Sequence, residues 1–141
     1  MVEGRNSEAK SSSLTCVLLV EDDPDLAELH AIWLREAGQS VSVIDDPARA
    51  LSLAPVLQPA VAVIDIGLPG IDGIELVTRL RGLPELARCR FLAVSAYADA
   101  RLPARCLAAG FSEFFQKPVP RQALVASVAI ATPSAANVRS F

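Results

Sequence analysis

Val61-Ala62-Val63-Ile64-Asp65-Ile66-Gly67-Leu68-Pro69-Gly70 is four apolar residues, an acid, and then a loop punctuated by proline and glycine. A short, uninterrupted apolar run bounded by such punctuation reads as a strand buried on both faces, the habit of parallel sheets. The acid then stands at the strand's carboxyl end. Runs of the same kind lie on either side: Cys16 to Val20, Val41 to Ile44, Phe91 to Val94, and Glu113 to Phe115. Helical signals fill the gaps between them. Asp23 before Pro24 reads as an N-cap with proline at the first helical position. Leu26, Leu29, His30, Trp33 and Ala37 then form one helical stripe that Gly38 closes. A short helix is expected from Pro47 to about Leu53. Asp72 with Glu75 makes a capping box for a helix to about Leu80. Another runs from about Leu102 to Ala109 and is closed by Gly110, and Pro120 opens a last one through Ile130. Strands alternating with helices imply an α/β fold, a doubly wound parallel sheet with right-handed crossovers and helices on both faces.

The chain has 141 residues, enough for a single domain with a real core. Hydrophobic residues make up 52% and charged residues 21%, which excludes a disordered polymer. The net charge of −3 and the lack of a basic stretch argue against nucleic acid and anionic membrane as partners. No window approaches the roughly 20 apolar residues of a membrane span. The polar start, Met1 to Thr15, has no apolar signal core, so a cytoplasmic location is expected. Three cysteines, Cys16, Cys89 and Cys106, show no CxxC spacing, and the only histidine is His30. Core-filling thiols fit this better than a zinc site. Residues 1–14 and 132–141 read as flexible tails around one domain at 15–131.

In a sheet of this kind ligands bind beyond the carboxyl ends of the strands. Those ends carry Glu21 and Asp22, Asp65, Ser95 and Lys117. Three carboxylates at one rim repel one another unless a cation joins them or some are protonated. A small set of hard oxygens favours Mg²⁺. One carboxylate can also act as a nucleophile toward phosphorus, with the lysine as a point charge for the phosphoryl oxygens. The bland readings are a loop acid for Asp65 and a solvated surface lysine for Lys117. Asp23 and Asp72 are better read as helix caps than as site acids. His30 and Trp33 are better read as packing than as a phosphorylation site or a partner contact.

Four motifs in order carry a resemblance. They are Leu19-Val20-Glu21-Asp22-Asp23-Pro24, Val63-Ile64-Asp65 through Asp72-Gly73, Val94-Ser95-Ala96 and Lys117-Pro118. Asp65 and Ser95 stand 30 residues apart, Ser95 and Lys117 22 apart. From about Thr15 to Ile130 the chain resembles the receiver domains of two-component response regulators, the family of the chemotaxis response regulator. The resemblance implies a flavodoxin-like (βα)5 fold with strand order 2-1-3-4-5. It implies that Asp65 is the phosphoacceptor and that Glu21, Asp22, Asp65 and the Gly67 carbonyl hold Mg²⁺. Ser95 and Lys117 would bind the phosphoryl oxygens, Ser95 and Phe114 would form the switch, and Lys117-Pro118 would be cis. Gly67 and Tyr97 would flank the approach of a hydrolytic water, Tyr97 as a shield.

The expected partner is a sensor histidine kinase or a histidine phosphotransfer protein. The expected chemistry is the chain's own phosphorylation and dephosphorylation, not metabolic enzymology. From Ala123 to Ala131 no residue is charged, and Pro103 falls near a helix start that it would delay or distort. An apolar contact face on the last two helices, for a homodimer or an output partner, is therefore expected. The alternatives are a pseudo-receiver that only binds partners, or an aspartyl-phosphate phosphatase. Gly67 stands where such a phosphatase carries its second acid.

Overall fold

The computed structural model describes residues 16–131 apart from residues 69 and 98. The expected tails at 1–14 and 132–141 lie outside the described residues. The elements are β1 (Cys16–Val20), α1 (Pro24–Glu36), β2 (Ser40–Ile44), α2 (Pro47–Leu57) and β3 (Val61–Asp65). There follow α3 (Gly73–Arg81), a 3-10 turn (Pro84–Leu86), β4 (Arg90–Ser95), α4 (Leu102–Ala109), β5 (Glu113–Gln116) and α5 (Arg121–Ala131). All strands pair in parallel, in the order β2-β1-β3-β4-β5. This is the expected doubly wound α/β sheet. The order reverses between β1 and β3, and there the crossovers to the two faces part and leave a crevice at the strands' carboxyl ends.

Both faces of the sheet are dry. On one, Leu18, Val20, Ala62, Ile64 and Ala93 pack under Ala50, Ala54, Leu76, Leu80 and Cys106 of α2, α3 and α4. On the other, Leu19, Val63 and Val94 meet Ala31 and Leu34 of α1 and Leu124 and Val128 of α5. Burying each leucine here contributes about 2 kcal/mol relative to leaving it exposed. At the far edge of the sheet, Ser127 of α5 is buried and donates to the Glu113 carboxylate, and Arg90 donates to the Ser127 carbonyl at 3.1 Å.

Three local expectations need correction. The buried stripe of α1 is Ala27, His30, Ala31 and Leu34, while Leu29 is 41% exposed and Ala37 is exposed. Small alanines let this helix sit close on the sheet, so its inner face lies one position along from the bulkier residues. α2 continues past Leu53 to Leu57, through Pro55. Proline cannot donate to the carbonyl four residues back, but Ala50 and Ala54 are wholly buried and anchor the helix. Gln58, left-handed at φ 48°, then ends it with its N–H on the Ala54 carbonyl at 2.8 Å. Pro103 does not delay α4: it falls in the first turn, where the missing N–H has no helical acceptor to lose.

Candidate functional site

The crevice gathers the polar ends of four strands. Glu21 follows β1 and is 3% exposed; Asp65 closes β3 and is 7% exposed; Asp22 is open to solvent. One oxygen from each of these acids lies within 4.8 Å of the other two. Lys117, just after β5, places Nζ 3.0 Å from Glu21 Oε1 and 3.2 Å from Asp65 Oδ2. The Gly67 N–H donates to Asp65 Oδ1 at 2.9 Å, and the Asp23 N–H donates to Glu21 Oε2 at 3.2 Å. Each oxygen of the Asp65 carboxylate thus has one donor. The Lys117 N–H donates to the Ser95 carbonyl at 2.8 Å, which ties the lysine to the end of β4. The Lys117–Pro118 bond is cis, as the resemblance implied.

Three acids against one ammonium leave the cluster short of positive charge. Burial pushes the Glu21 carboxyl up to about 7; the Lys117 hydrogen bond opposes this and the Asp65 charge adds to it. Burial pulls Lys117 down, but its bond to Glu21 and the Asp65 charge outweigh that and hold it above the usual lysine value. A group whose folded pKa lies above its unfolded one stabilises fully below the unfolded value, and that contribution is lost as pH rises through the folded value. For Glu21 the loss runs from the ordinary carboxylate range through about 7. In chelator, Tm is therefore expected to fall between about pH 5 and 7.5, and Glu21→Gln to flatten the fall. Parallel curves for the two proteins would contradict this.

The donor set suits a hard divalent cation. The acids offer only carboxylate oxygens, two of them are buried and fixed by hydrogen bonds, and exposed Asp22 leaves a side open to water. Such a mixture of few protein ligands and several waters fits Mg²⁺.

The neighbouring acids have other duties. Asp23 caps α1, its Oδ1 accepting from the Asp25 and Leu26 N–H groups at 3.0 and 3.3 Å. Asp23→Ala is expected to cost about 1 kcal/mol in urea denaturation, while Mg²⁺ titration gives the wild-type affinity. A weaker affinity would make Asp23 a ligand. Asp72 caps α3 by accepting from the Glu75 N–H at 2.9 Å. The expected capping box is only half made, because the Glu75 carboxylate turns to Arg79 at 2.6 Å.

Ser95 is fully buried, and its Oγ accepts the Tyr97 N–H at 2.9 Å. Phe114 lies half-buried on β5, in register with Ala93 of β4. Tyr97 is 59% exposed, and its ring stands 3.2 to 3.6 Å from where a Cβ on Gly67 would be. His30 is buried and its ring lies 5.2 Å from that of Trp33, a packing role. Burial, and then the Lys117 charge, hold it below the usual histidine value. Cys106 fills the core as expected, whereas Cys16 and Cys89 are only half-buried. Burial raises all three thiols, Cys89 to about 12, so they stay protonated.

The sequence reading missed Gly73 under the site. The Gly73 N–H donates to the Ile66 carbonyl at 3.1 Å, and a Cβ there would lie 2.8 Å from the Ile66 Cα. Its sequence signals are its place at the end of the motif that begins at Val63 and a glycine at the first position of a helix that already has a cap.

The family model described as response regulator receiver domain matches residues 17–129. An uncharacterised 14.6 kDa protein of Leptolyngbya boryana is 36% identical over 73% of this chain and 79% of its own length. The DNA-binding response regulator MtrA of Mycolicibacterium smegmatis is 34% identical over 79% of this chain, which spans 48% of it. The transcriptional regulator DctD of Pseudomonas aeruginosa is 37% identical over 81%, and there the chain spans only 24%. A putative response regulator of Chloroflexus aurantiacus superposes with TM-score 0.79 at 30% identity, covering 84% of this chain and 97% of that one. The chemotaxis response regulator CheY4 of Vibrio cholerae, 21% identical with TM-score 0.77 over 84% and 99% of the two chains, shares the fold.

Proposed function

The chain belongs to the response-regulator receiver family, and from that premise we propose that it takes a phosphoryl group onto Asp65 from a partner's phosphohistidine. What carries the reading is Asp65 itself. It ends a buried strand at the sheet's crevice, with Lys117 on one oxygen, the Gly67 N–H on the other and two further acids beside it. In the reaction an Asp65 oxygen attacks phosphorus in line. The O–P bond forms as the P–N bond to the donor imidazole breaks, and the imidazole nitrogen keeps the electron pair. Lys117, held beforehand on Asp65 and Glu21, pairs with a phosphoryl oxygen as a point charge. Ser95 turns its hydroxyl from the Tyr97 N–H to a phosphoryl oxygen. Glu21, Asp22, Asp65 and the Gly67 carbonyl would hold Mg²⁺, which when bound neutralises the phosphoryl oxygens.

The donor is a sensor histidine kinase or a histidine phosphotransfer protein. The chain's own chemistry is confined to gaining and losing this group. No described helix is long and apolar enough to cross a membrane, and we place the protein in the cytoplasm, without nucleic acid or membrane as partner. As Ser95 turns inward, Phe114 repacks behind it and the face built from α4, β5 and α5 changes. Leu107 on α4 and Ile130 on α5 are 51% and 69% exposed, and a second copy or an output partner would cover them. Incubation with acetyl phosphate and Mg²⁺, read by intact mass, tests the proposal. It expects the gain of one phosphoryl group; an unchanged mass overturns it.

Tyr97 sets how long that group lasts. Its ring stands beside Gly67, two residues from Asp65, where it would cover the approach of a water. Tyr97→Ala is expected to speed hydrolysis of the phosphorylated protein several-fold, measured by loss of the mass gain over time. An unchanged or slower decay would mean that the ring is no shield.

A further inference from the structure

We propose that α3 is a rigid link between Asp65 and the C-terminal end of α4, fastened at one end by Gly73 and at the other by Arg81. The proposal rests on the reading of Asp65 as the phosphoacceptor and adds a route to α4 that does not pass through Ser95 and Phe114.

The first fastening lies directly under the phosphoacceptor. α3 begins at Gly73, whose N–H donates to the Ile66 carbonyl. A Cβ at this position would lie 2.8 Å from the Ile66 Cα and 3.1 Å from the Asp65 carbonyl oxygen. The helix therefore starts in contact with the backbone of Asp65 and of the residue that follows it. From there nine residues run to Arg81, a rod of about 13 Å at the helical rise. Its own Leu76, Val77 and Leu80 are wholly buried, so the rod moves as one body.

The second fastening crosses to α4. Arg81 Nη1 donates to the Ala109 carbonyl at 2.9 Å, the last residue of α4. Gly110 follows in the left-handed region at φ +124°, and a Cβ there would lie 2.3 to 2.6 Å from the Arg81 side chain. The bare glycine makes the space in which the arginine lies.

α4 needs this support because its own sequence supplies little. It has eight residues, no side-chain cap at its start, no acid in its first turn and no base in its last. Only Leu102 and Cys106 are buried. An isolated helix of this length does not hold in water. Arg81 brings from a neighbouring helix the cation that the C-terminal carbonyls of α4 lack. A shift of the Asp65–Ile66 backbone is thus transmitted to the helix least able to hold its place alone.

Arg81→Met keeps the stem and removes the donor. Backbone amide exchange, with and without beryllofluoride and Mg²⁺, reads the link. In the apo protein the variant is expected to exchange several-fold faster across α4, with α1 and α5 unchanged, and Arg81→Lys to fall between. Beryllofluoride should alter α4 exchange in the wild type, and this response should shrink by at least half in Arg81→Met. Unchanged apo exchange in α4, or an equal beryllofluoride response in both proteins, overturns the link. If beryllofluoride changes no amide of the wild type, the phosphoacceptor reading fails, and the apo comparison alone then decides whether Arg81 holds α4.

Discussion

Asp65→Asn is expected to abolish phosphoryl uptake completely and to raise the stability of the metal-free protein. The first effect follows because the amide oxygen is no nucleophile toward phosphorus, and no other acid of the cluster sits at the end of β3 with Lys117 and the Gly67 N–H on its oxygens. The second follows from charge. Asp65, Glu21 and Asp22 meet within 4.8 Å against a single ammonium. Removing one negative charge relieves a like-charge contact worth on the order of 1 kcal/mol, while Lys117 keeps Glu21. Asparagine retains an oxygen for the Gly67 N–H. Intact mass after acetyl phosphate and urea denaturation in chelator check the two halves. Full labelling of the variant would remove Asp65 from its role, and a large loss of stability would show that its charge supports the fold.

Gly73→Ala carries the largest expected loss of stability, about 3 kcal/mol. An alanine at a helical glycine usually gains about 0.5–1 kcal/mol. Here the sign reverses, because the new methyl would meet backbone: the Ile66 Cα at 2.8 Å and the Asp65 carbonyl oxygen at 3.1 Å. Neither can step aside as a flexible side chain can. Because the displaced atoms belong to Asp65 and its neighbour, phosphorylation at the proposed acceptor should slow in the part of the protein that still folds. Gly82→Ala is the control, since its Cβ would meet nothing closer than 3.5 Å. Urea midpoints for the two variants decide the matter. A Gly73→Ala protein as stable as wild type would mean that α3 is not seated on Ile66.

What the sequence made legible shares one physical property: it depends on neighbours along the chain. Val61 to Ile64 reads as a strand because a short apolar run closed by proline and glycine suits a sheet buried on both faces, and the acid after it then stands at the rim. The same holds for Glu21 and Asp22 after β1, Ser95 at the end of β4 and Lys117 after β5. The caps at Asp23 and Asp72 were readable for the same reason. What was missed depends on contacts between distant segments. The α1 stripe was misjudged because Ala27 and Ala31, not the larger Leu29, set how close the helix lies to the sheet. α2 outran Pro55 because Ala50 and Ala54 are held by the core. Glu75 left its box for Arg79. Nothing near Arg81 in sequence announces that it will lie across Gly110, whereas the nearness of Tyr97 to Gly67 was implied by the resemblance and not by either residue's neighbours.

On this reading one carboxylate, Asp65, receives the phosphoryl group. Borohydride reduction of the phosphorylated wild-type protein converts an acyl phosphate to an alcohol and so marks the residue permanently for fragment mass spectrometry. The mark is expected at position 65 and nowhere else. A mark on Asp22 or Asp23, or an intact phosphoryl group recovered on Ser95 or His30, would contradict it.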